Sequence, residues 1–113
     1  EGEGEGEGEG ELSPWHSADF NHDGEIHLVE LLRIIQFYNM DGFHCAANPA
    51  ATEDGYEPVY DASGGCRLHD ADWDAVKWKI SLGEVLRMIQ FFNFKAYHRC
   101  PDEGTVDGFC PGE

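Results

Sequence analysis

Residues 19–30 read Asp19-Phe20-Asn21-His22-Asp23-Gly24-Glu25-Ile26-His27-Leu28-Val29-Glu30. Oxygen-bearing side chains occupy the first, third, fifth and twelfth positions, glycine occupies the sixth and isoleucine the eighth. Calcium is a hard cation that needs several oxygen ligands, and one loop supplies them only if alternate side chains point inward and a glycine permits a sharp turn. The sequence therefore predicts a calcium ion bound by the side chains of Asp19, Asn21, Asp23 and Glu30 and by the main-chain carbonyl of Glu25. The alternative is a solvated acidic turn before a helix.

The segment that follows this loop occurs twice in the chain. Residues 28–39, Leu-Val-Glu-Leu-Leu-Arg-Ile-Ile-Gln-Phe-Tyr-Asn, return at 82–93 as Leu-Gly-Glu-Val-Leu-Arg-Met-Ile-Gln-Phe-Phe-Asn. The apolar spacing predicts an amphipathic helix over each segment. The residues expected to face inward are Leu28, Leu31, Leu32, Ile35 and Tyr38 in the first helix and Leu82, Val85, Leu86, Ile89 and Phe92 in the second, with Ile34 and Phe37 widening the first stripe.

The second copy of the loop departs from the first. Counting back from Glu84 at the twelfth position, the acids Asp70, Asp72 and Asp74 lie about three residues early, and Trp78 stands where the first loop has glycine. We interpret this as an expanded loop that binds a second calcium ion. The expected ligands are the side chains of Asp70, Asp72, Asp74 and Glu84 and the main-chain carbonyl of Lys79. A degenerate, metal-free copy held by the packing of Trp73 and Trp78 is the alternative.

A calcium loop of this spacing resembles the EF-hand loop. A duplicated loop followed directly by a helix, with no clear helix before the first loop, looks like the dockerin arrangement over residues 16–40 and 69–94. The chain is also similar to duplicated modules that end large bacterial surface or secreted proteins. The resemblance implies a mainly α fold, in which two calcium loop–helix units pack about a pseudo-twofold axis. The chain departs from the dockerin pattern in two respects, since it has Glu at the twelfth loop position and has loops that contain cysteines.

Four cysteines suit two disulfides in a small exported protein. Three pairings are possible, and the repeat favours Cys45–Cys66 and Cys100–Cys110, because Cys45 and Cys100 follow equivalent helices and each can close onto its own loop. Zinc held by His44, Cys45, His98 and Cys100 is the alternative. It lacks the closely spaced cysteine pairs of common zinc sites and would leave two cysteines without partners.

Charge and composition divide the chain in two. Residues 1–11 alternate glutamate and glycine, which predicts either a solvated linker or an extended leader with all its acids on one face. Residues 12–113 form the expected duplicated domain, with repeats at 16–60 and 69–113. The net charge is −16, or −10 without the six acids of the leader. Such a balance argues against nucleic acid as a partner, and no apolar run is long enough to insert into a membrane.

The expected function follows from these features. The histidines stand in no catalytic pattern, so we expect no enzyme. Two metal loops and two disulfides favour a calcium-stabilised, extracellular or cell-surface structural module that assembles with copies of itself, as a filament or surface-layer subunit. A leader bound to a neighbouring copy would propagate such an assembly. The alternative is a dockerin-like docking domain that binds a different protein partner.

Overall fold

The structure is a computed structural model that describes residues 14–100 and 103–112. The Glu-Gly leader lies outside the described residues, and so does the prediction of its extended conformation. Two helices form the centre of the described chain, α1 (Leu28–Asn39) and α2 (Leu82–Phe94). The first matches its predicted bounds, and the second continues one residue further than predicted.

Each helix is followed by a short antiparallel hairpin. Strand β1 (Phe43–Cys45) pairs with β2 (Tyr56–Pro58) after a short 3-10 turn (Pro49–Ala51), and β3 (Tyr97–Arg99) pairs with β4 (Phe109–Pro111). The predicted mainly α fold is therefore wrong, since residues 14–100 and 103–112 fold as α+β with two helices and two small sheets. Strands of three residues are too short to show the alternation by which a sequence reveals a strand. The turn residues around them suggested loops instead.

The predicted inward faces of the helices are right only in part. Leu31 and Val85 are buried as predicted, and so are Ile34 and Phe37 of the widened stripe, but several other residues predicted to face inward are exposed, namely Leu28, Leu32, Tyr38, Leu82 and Leu86. The buried apolar residues of α1 are Leu31, Ile34 and Phe37, while Leu32 is 51% exposed. In α2 the buried residues are Val85, Met88 and Phe91, while Leu86 is 56% exposed. Each helix is apolar around more than half of its circumference, so its periodicity fits two phases equally well. The hairpins decide between them, because the core they complete lies against Phe37 and Phe91.

The core contains two histidines among aromatic rings. The ring of His16 lies 4.8 Å from that of Phe109, and 6.0 Å from the ring of His69. Each histidine accepts a hydrogen bond at Nδ1 from a main-chain N–H, that of Ala18 at 3.1 Å or that of Ala71 at 3.0 Å. Burial lowers the pKa of both histidines to about 3. Both are therefore neutral, with the ring proton on Nε2.

The same arginine contact recurs in both halves. Arg33 donates from Nε to Asp54 at 3.0 Å, and Arg87 donates from Nε to Asp107 at 3.2 Å. Each arginine also donates to a main-chain carbonyl of its own hairpin. Because both aspartates are nearly inaccessible to water, these ion pairs tie helix to hairpin in the same way in each half.

The two halves are joined by exchanged backbone contacts. Ile26 N donates to Lys95 O at 2.8 Å, and Glu25 forms a β-bridge with Ala96. The loops of an EF-hand-like pair would be expected to meet at their eighth residues, Ile26 and Ile80, in a short antiparallel bridge. In the described chain these two residues do not pair, because the strand position of each loop is directed to the segment behind the helix of the opposite half. Phe43 N accordingly donates to Trp78 O at 3.1 Å.

Both disulfides form as predicted, Cys45–Cys66 and Cys100–Cys110. The equivalence of Cys45 and Cys100 on which the pairing was based does not hold, however. Ala46 N donates to Gly55 O at 2.9 Å and Cys100 N donates to Gly108 O at 2.8 Å, so Cys100 corresponds to Ala46. The two bridges are thus not symmetry mates. Cys110 lies within β4, whereas Cys66 lies well beyond β2.

Candidate metal centres

The first residue of loop one, residues 19–30, is fixed at the centre of its turn. Asp19 is buried, and its Oδ1 accepts a hydrogen bond from Asp23 N at 3.2 Å while Oδ2 accepts one from Gly24 N at 2.9 Å. Gly24 has a φ of +81°, a left-handed conformation that glycine adopts without strain. The loop therefore wraps around the first expected ligand before any ion binds.

The last residue of loop one is the N3 residue of α1. Glu30 is 0% exposed, and its Oε1 accepts a hydrogen bond from His27 N at 2.8 Å. Its Oε2 is buried and accepts no hydrogen bond of normal geometry from the described residues. Burial raises the pKa of the Glu30 carboxyl, because the charged form loses hydration. An unpartnered carboxylate oxygen in this position is costly unless a cation or a proton meets it.

The middle of loop one is turned toward solvent. Asp23 Oδ2 lies 2.5 Å from His27 Nε2, and Asp23 Oδ1 accepts a hydrogen bond from Glu25 N at 3.0 Å. Asn21 is exposed, with its Nδ2 3.5 Å from Asp23. Among the described residues, the carboxylates of loop one do not form a set of three whose oxygens all lie within 4.8 Å of one another. Rotation of Asp23 away from His27 would be needed to complete the predicted ligand set.

Loop two, residues 72–84, begins two residues later than predicted. Asp72 N donates to His69 O at 3.0 Å, just as Asp19 N donates to His16 O at 2.9 Å. Asp72 Oδ2 then accepts a hydrogen bond from Trp78 N at 2.5 Å, as Asp19 does from Gly24 N. Asp72 is therefore the first position, and loop two contains one residue more than loop one.

The structure separates Asp70 from the other predicted ligands. Its Oδ2 accepts a hydrogen bond from Ser17 N at 2.9 Å, and its Oδ1 lies 2.7 Å from Arg67. The extra residue of loop two also leaves Val76 and Lys77 near the position that Asp23 fills in loop one. Lys77 Nζ donates to Asp74 O at 2.5 Å, so loop two carries a positive charge where loop one carries a carboxylate.

Three carboxylates meet in loop two. The oxygens of Asp72, Asp74 and Glu84 able to bind a metal lie within 4.8 Å of one another. Glu84 accepts from Ser81 N at 2.8 Å and from Asp74 N at 2.9 Å, whereas Asp72 Oδ1 is buried without a partner. Burial, opposed by the Trp78 hydrogen bond and reinforced by the nearby Glu84 charge, raises the pKa of Asp72 to about 7. Burial also raises the pKa of Glu84.

The tryptophans of loop two occupy structural positions. Trp78 has a φ of +67° where loop one has glycine, and its ring packs at 5.1 Å against Phe43. Trp73 buries its indole Nε1 without a hydrogen-bond partner. The side chain of Lys79 extends away from the loop, with Nζ 3.6 Å from Asp41. Packing by these side chains supports the loop and is compatible with a bound ion.

The cysteines required by the zinc alternative, Cys45 and Cys100, are oxidised. Both sulfurs that it required are bonded in disulfides, and a structural zinc site needs thiolates. The two histidines of the set serve the hairpins instead, since Nδ1 of His44 lies 2.8 Å from Val59 O and Nδ1 of His98 lies 2.8 Å from Gly112 O. His98 lies close to the Cys100–Cys110 bridge.

Sequence reasoning missed Tyr97, whose hydroxyl donates to Asp19 Oδ2 at 2.7 Å. The repeat indicates this role, because Tyr97 aligns with Phe43 and carries a hydroxyl that Phe43 lacks. No local sequence pattern links Tyr97 with loop one, because the two lie far apart along the chain. Burial raises the pKa of Tyr97, so its hydroxyl remains protonated and able to donate.

Comparisons with family models, curated proteins and solved structures each returned no match to this chain. In the described part of the chain, neither helix has the length and apolar character needed to span a bilayer. Assignment of a function therefore depends on the geometry of the chain itself.

Proposed function

We propose that this chain is a calcium-stabilised extracellular structural module that assembles with copies of itself. One observation supports the calcium site above all others. Each loop buries a carboxylate oxygen that accepts no hydrogen bond of normal geometry within the described part of the chain, Glu30 Oε2 in loop one and Asp72 Oδ1 in loop two. Both oxygens belong to residues predicted from the loop spacing as ligands.

The chemistry of the loops favours calcium over softer metals. All side-chain donors proposed for the two sites are oxygens, which suit a hard cation such as calcium. A divalent ion would stabilise the charged form of carboxylates whose pKa burial raises, and its binding free energy would add to the stability of the fold. It would also reduce the repulsion within a chain of net charge −16.

The two disulfides support an oxidising environment such as the cell exterior. Calcium is abundant there, so we expect the sites to be filled continuously and to act as structural supports. A calcium sensor would need a helix pair that opens on loading, and each helix here is joined to a disulfide-bridged hairpin by a buried arginine–aspartate pair.

The helices offer a surface for assembly. Their outer faces carry apolar side chains that are each more than half exposed, namely Leu28, Val29 and Leu32 on α1 and Leu82 and Leu86 on α2. Exposed apolar side chains that form a continuous patch are typical of interaction surfaces, and we propose that these residues form one. Because related residues from both repeats contribute, the surface is similar on its two sides and can meet a second copy.

Docking to a different protein is a second candidate, and the charge of the chain favours it. Two copies that each carry a net charge of −16 repel each other, whereas a neutral or basic partner would not. The same helix faces would then form the docking surface.

Isothermal titration calorimetry with calcium tests the metal sites. We expect two bound ions, with one lost in Glu30→Gln and the other in Glu84→Gln, while Glu103→Gln, exposed and outside both loops, retains both. At free calcium of 100 times its dissociation constant, each site should contribute about 2.7 kcal/mol to the free energy of unfolding. Binding of no calcium by the unaltered chain would refute this part of the proposal.

Sedimentation equilibrium in calcium tests the assembly. Self-association should be weakened by Leu32→Glu and by Leu86→Glu, and unaffected by Val106→Glu, which places the same charge at an exposed site outside the helices. A chain that remains monomeric at high concentration with calcium bound would contradict self-assembly. Docking to a different partner would then be the better account.

A further inference from the structure

We propose that Tyr97, contributed by the second repeat, is a positioning residue for the first ligand of loop one, so that calcium binding in loop one depends on the docking of the opposite half. This inference rests on the proposed calcium site in loop one. It concerns a residue outside both loops.

The hydrogen bonds of the Tyr97 hydroxyl fix its direction. His16 N lies 2.8 Å from the hydroxyl oxygen and can only donate to it. The single hydroxyl proton of Tyr97 is therefore free to point to Asp19 Oδ2, 2.7 Å away. Tyr97 is 5% exposed and Asp19 is fully buried, so water does not replace this contact.

Asp19 is thereby held from two directions. The loop supplies the N–H groups of Asp23 and Gly24, and the second repeat supplies the hydroxyl of Tyr97. A carboxylate held in this way is set in the orientation that the ion needs, and the donated hydrogen bond lowers the cost of burying its charge. The contact spans 78 residues of sequence, which makes it a direct link between the two repeats.

Loop two provides a natural comparison. Phe43, from the first repeat, occupies at loop two the place that Tyr97, from the second repeat, occupies at loop one. Phe43 N donates to Trp78 O as Tyr97 N donates to Gly24 O. A phenylalanine ring has no hydroxyl to offer, so Asp72 Oδ2, which accepts from Trp78 N, lacks the second hydrogen bond that Asp19 Oδ2 receives from Tyr97. Loop one therefore has a support across the repeat boundary that loop two lacks.

Calcium titration calorimetry of the full chain tests the inference through Tyr97→Phe. The matched control is Tyr56→Phe, which removes the same atom from a buried tyrosine whose hydroxyl donates to Arg67 O and contacts neither loop's ligands. We expect Tyr97→Phe to weaken one of the two calcium sites by about 10–100-fold. The other site, and both sites of Tyr56→Phe, should keep the affinity of the unaltered chain.

The amide signals of Gly24 and Trp78 in an NMR calcium titration identify the affected site. The Gly24 signal should respond at higher calcium in Tyr97→Phe, while the Trp78 signal should respond as in the unaltered chain. Equal affinities in Tyr97→Phe and the unaltered chain would overturn the inference, even if Tyr97→Phe lowers Tm in chelator. Absence of calcium binding in the unaltered chain would instead refute the proposed calcium sites, so the two failures are distinguishable.

Discussion

Loop one and loop two connect similar buried histidine turns to similar helices, but they differ in length and in charge. Loop one has the regular spacing, yet its Asp23 carboxylate is directed to His27. Loop two has an extra residue and a lysine, yet it brings three carboxylates together. The comparison shows that regular spacing alone does not bring the carboxylates of a loop together, because local hydrogen bonds such as that of Asp23 with His27 decide which of them converge.

The largest expected difference concerns Asp72 in chelator. Its folded pKa of about 7 lies above the ordinary value of 3.8, so the folded state binds more protons than the unfolded state between these values. The Asp72 contribution to the free energy of unfolding should therefore fall as pH rises from 4 to 7, by roughly 1.4 kcal/mol per unit of pKa shift and about 4 kcal/mol in all. The buried His16 and His69, whose pKa is lowered to about 3, make the total free energy of unfolding rise over the same range, so the Asp72 contribution is measured as a difference between two proteins.

Asp72→Asn removes this titration and keeps an oxygen for the Trp78 hydrogen bond. Denaturant unfolding at several pH values should show the free energy of unfolding of the unaltered chain falling relative to that of Asp72→Asn as pH rises, since the buried histidines, Glu30 and Glu84 titrate in both proteins. With calcium present the trend should reverse, because the ion requires the deprotonated carboxylate. Parallel pH profiles of the two proteins in chelator would show that burial does not raise the pKa of Asp72.

The disulfides provide a second comparison between the halves. Cys45 and Cys66 are 21 residues apart and Cys100 and Cys110 are 10 apart. Closing these loops should contribute about 3.3 and about 2.7 kcal/mol through the entropy of the unfolded chain. Chemical denaturation of Cys45→Ser/Cys66→Ser and Cys100→Ser/Cys110→Ser double variants measures both values. A larger loss for the shorter loop would show that native packing outweighs chain entropy here.

The smallest expected effect concerns the outer helix faces, where the two halves should behave alike. Leu32→Ala and Leu86→Ala should each change the free energy of unfolding of the monomer by less than about 0.5 kcal/mol, because both leucines are exposed. The matched core variants Ile34→Ala and Met88→Ala should cost about 2–5 kcal/mol. A large loss at Leu32 alone, measured by denaturant unfolding at low protein concentration, would show that the halves bury different faces.

Features that depend on residues close together in the sequence could be predicted from the sequence. The helix bounds follow from apolar spacing, and the disulfide pairs follow from the order of cysteines and helices. The helix phase could not be predicted, since Leu32 and Ile34 are equally apolar and only the hairpin packed against Phe37 distinguishes them.

The register of loop two depended on contacts that no local pattern contains. Asp70 and Asp72 have the same side chain, and they differ in that Asp70 bonds Ser17 whereas Asp72 follows the His69 turn. The support of Asp19 by Tyr97 likewise joins residues from opposite halves of the chain. Such tertiary hydrogen bonds become visible only when the fold is known.

The exchanged backbone contacts have a consequence for how such a chain could arise. Gly24 O receives its hydrogen bond from Tyr97 N, and Trp78 O receives its hydrogen bond from Phe43 N, so neither repeat completes its own loop. A single repeat would form neither of these bonds by itself and would regain them only by pairing with an identical chain. An ancestor with one repeat could therefore have held this arrangement as a homodimer, and gene duplication with fusion would have made the exchange intramolecular.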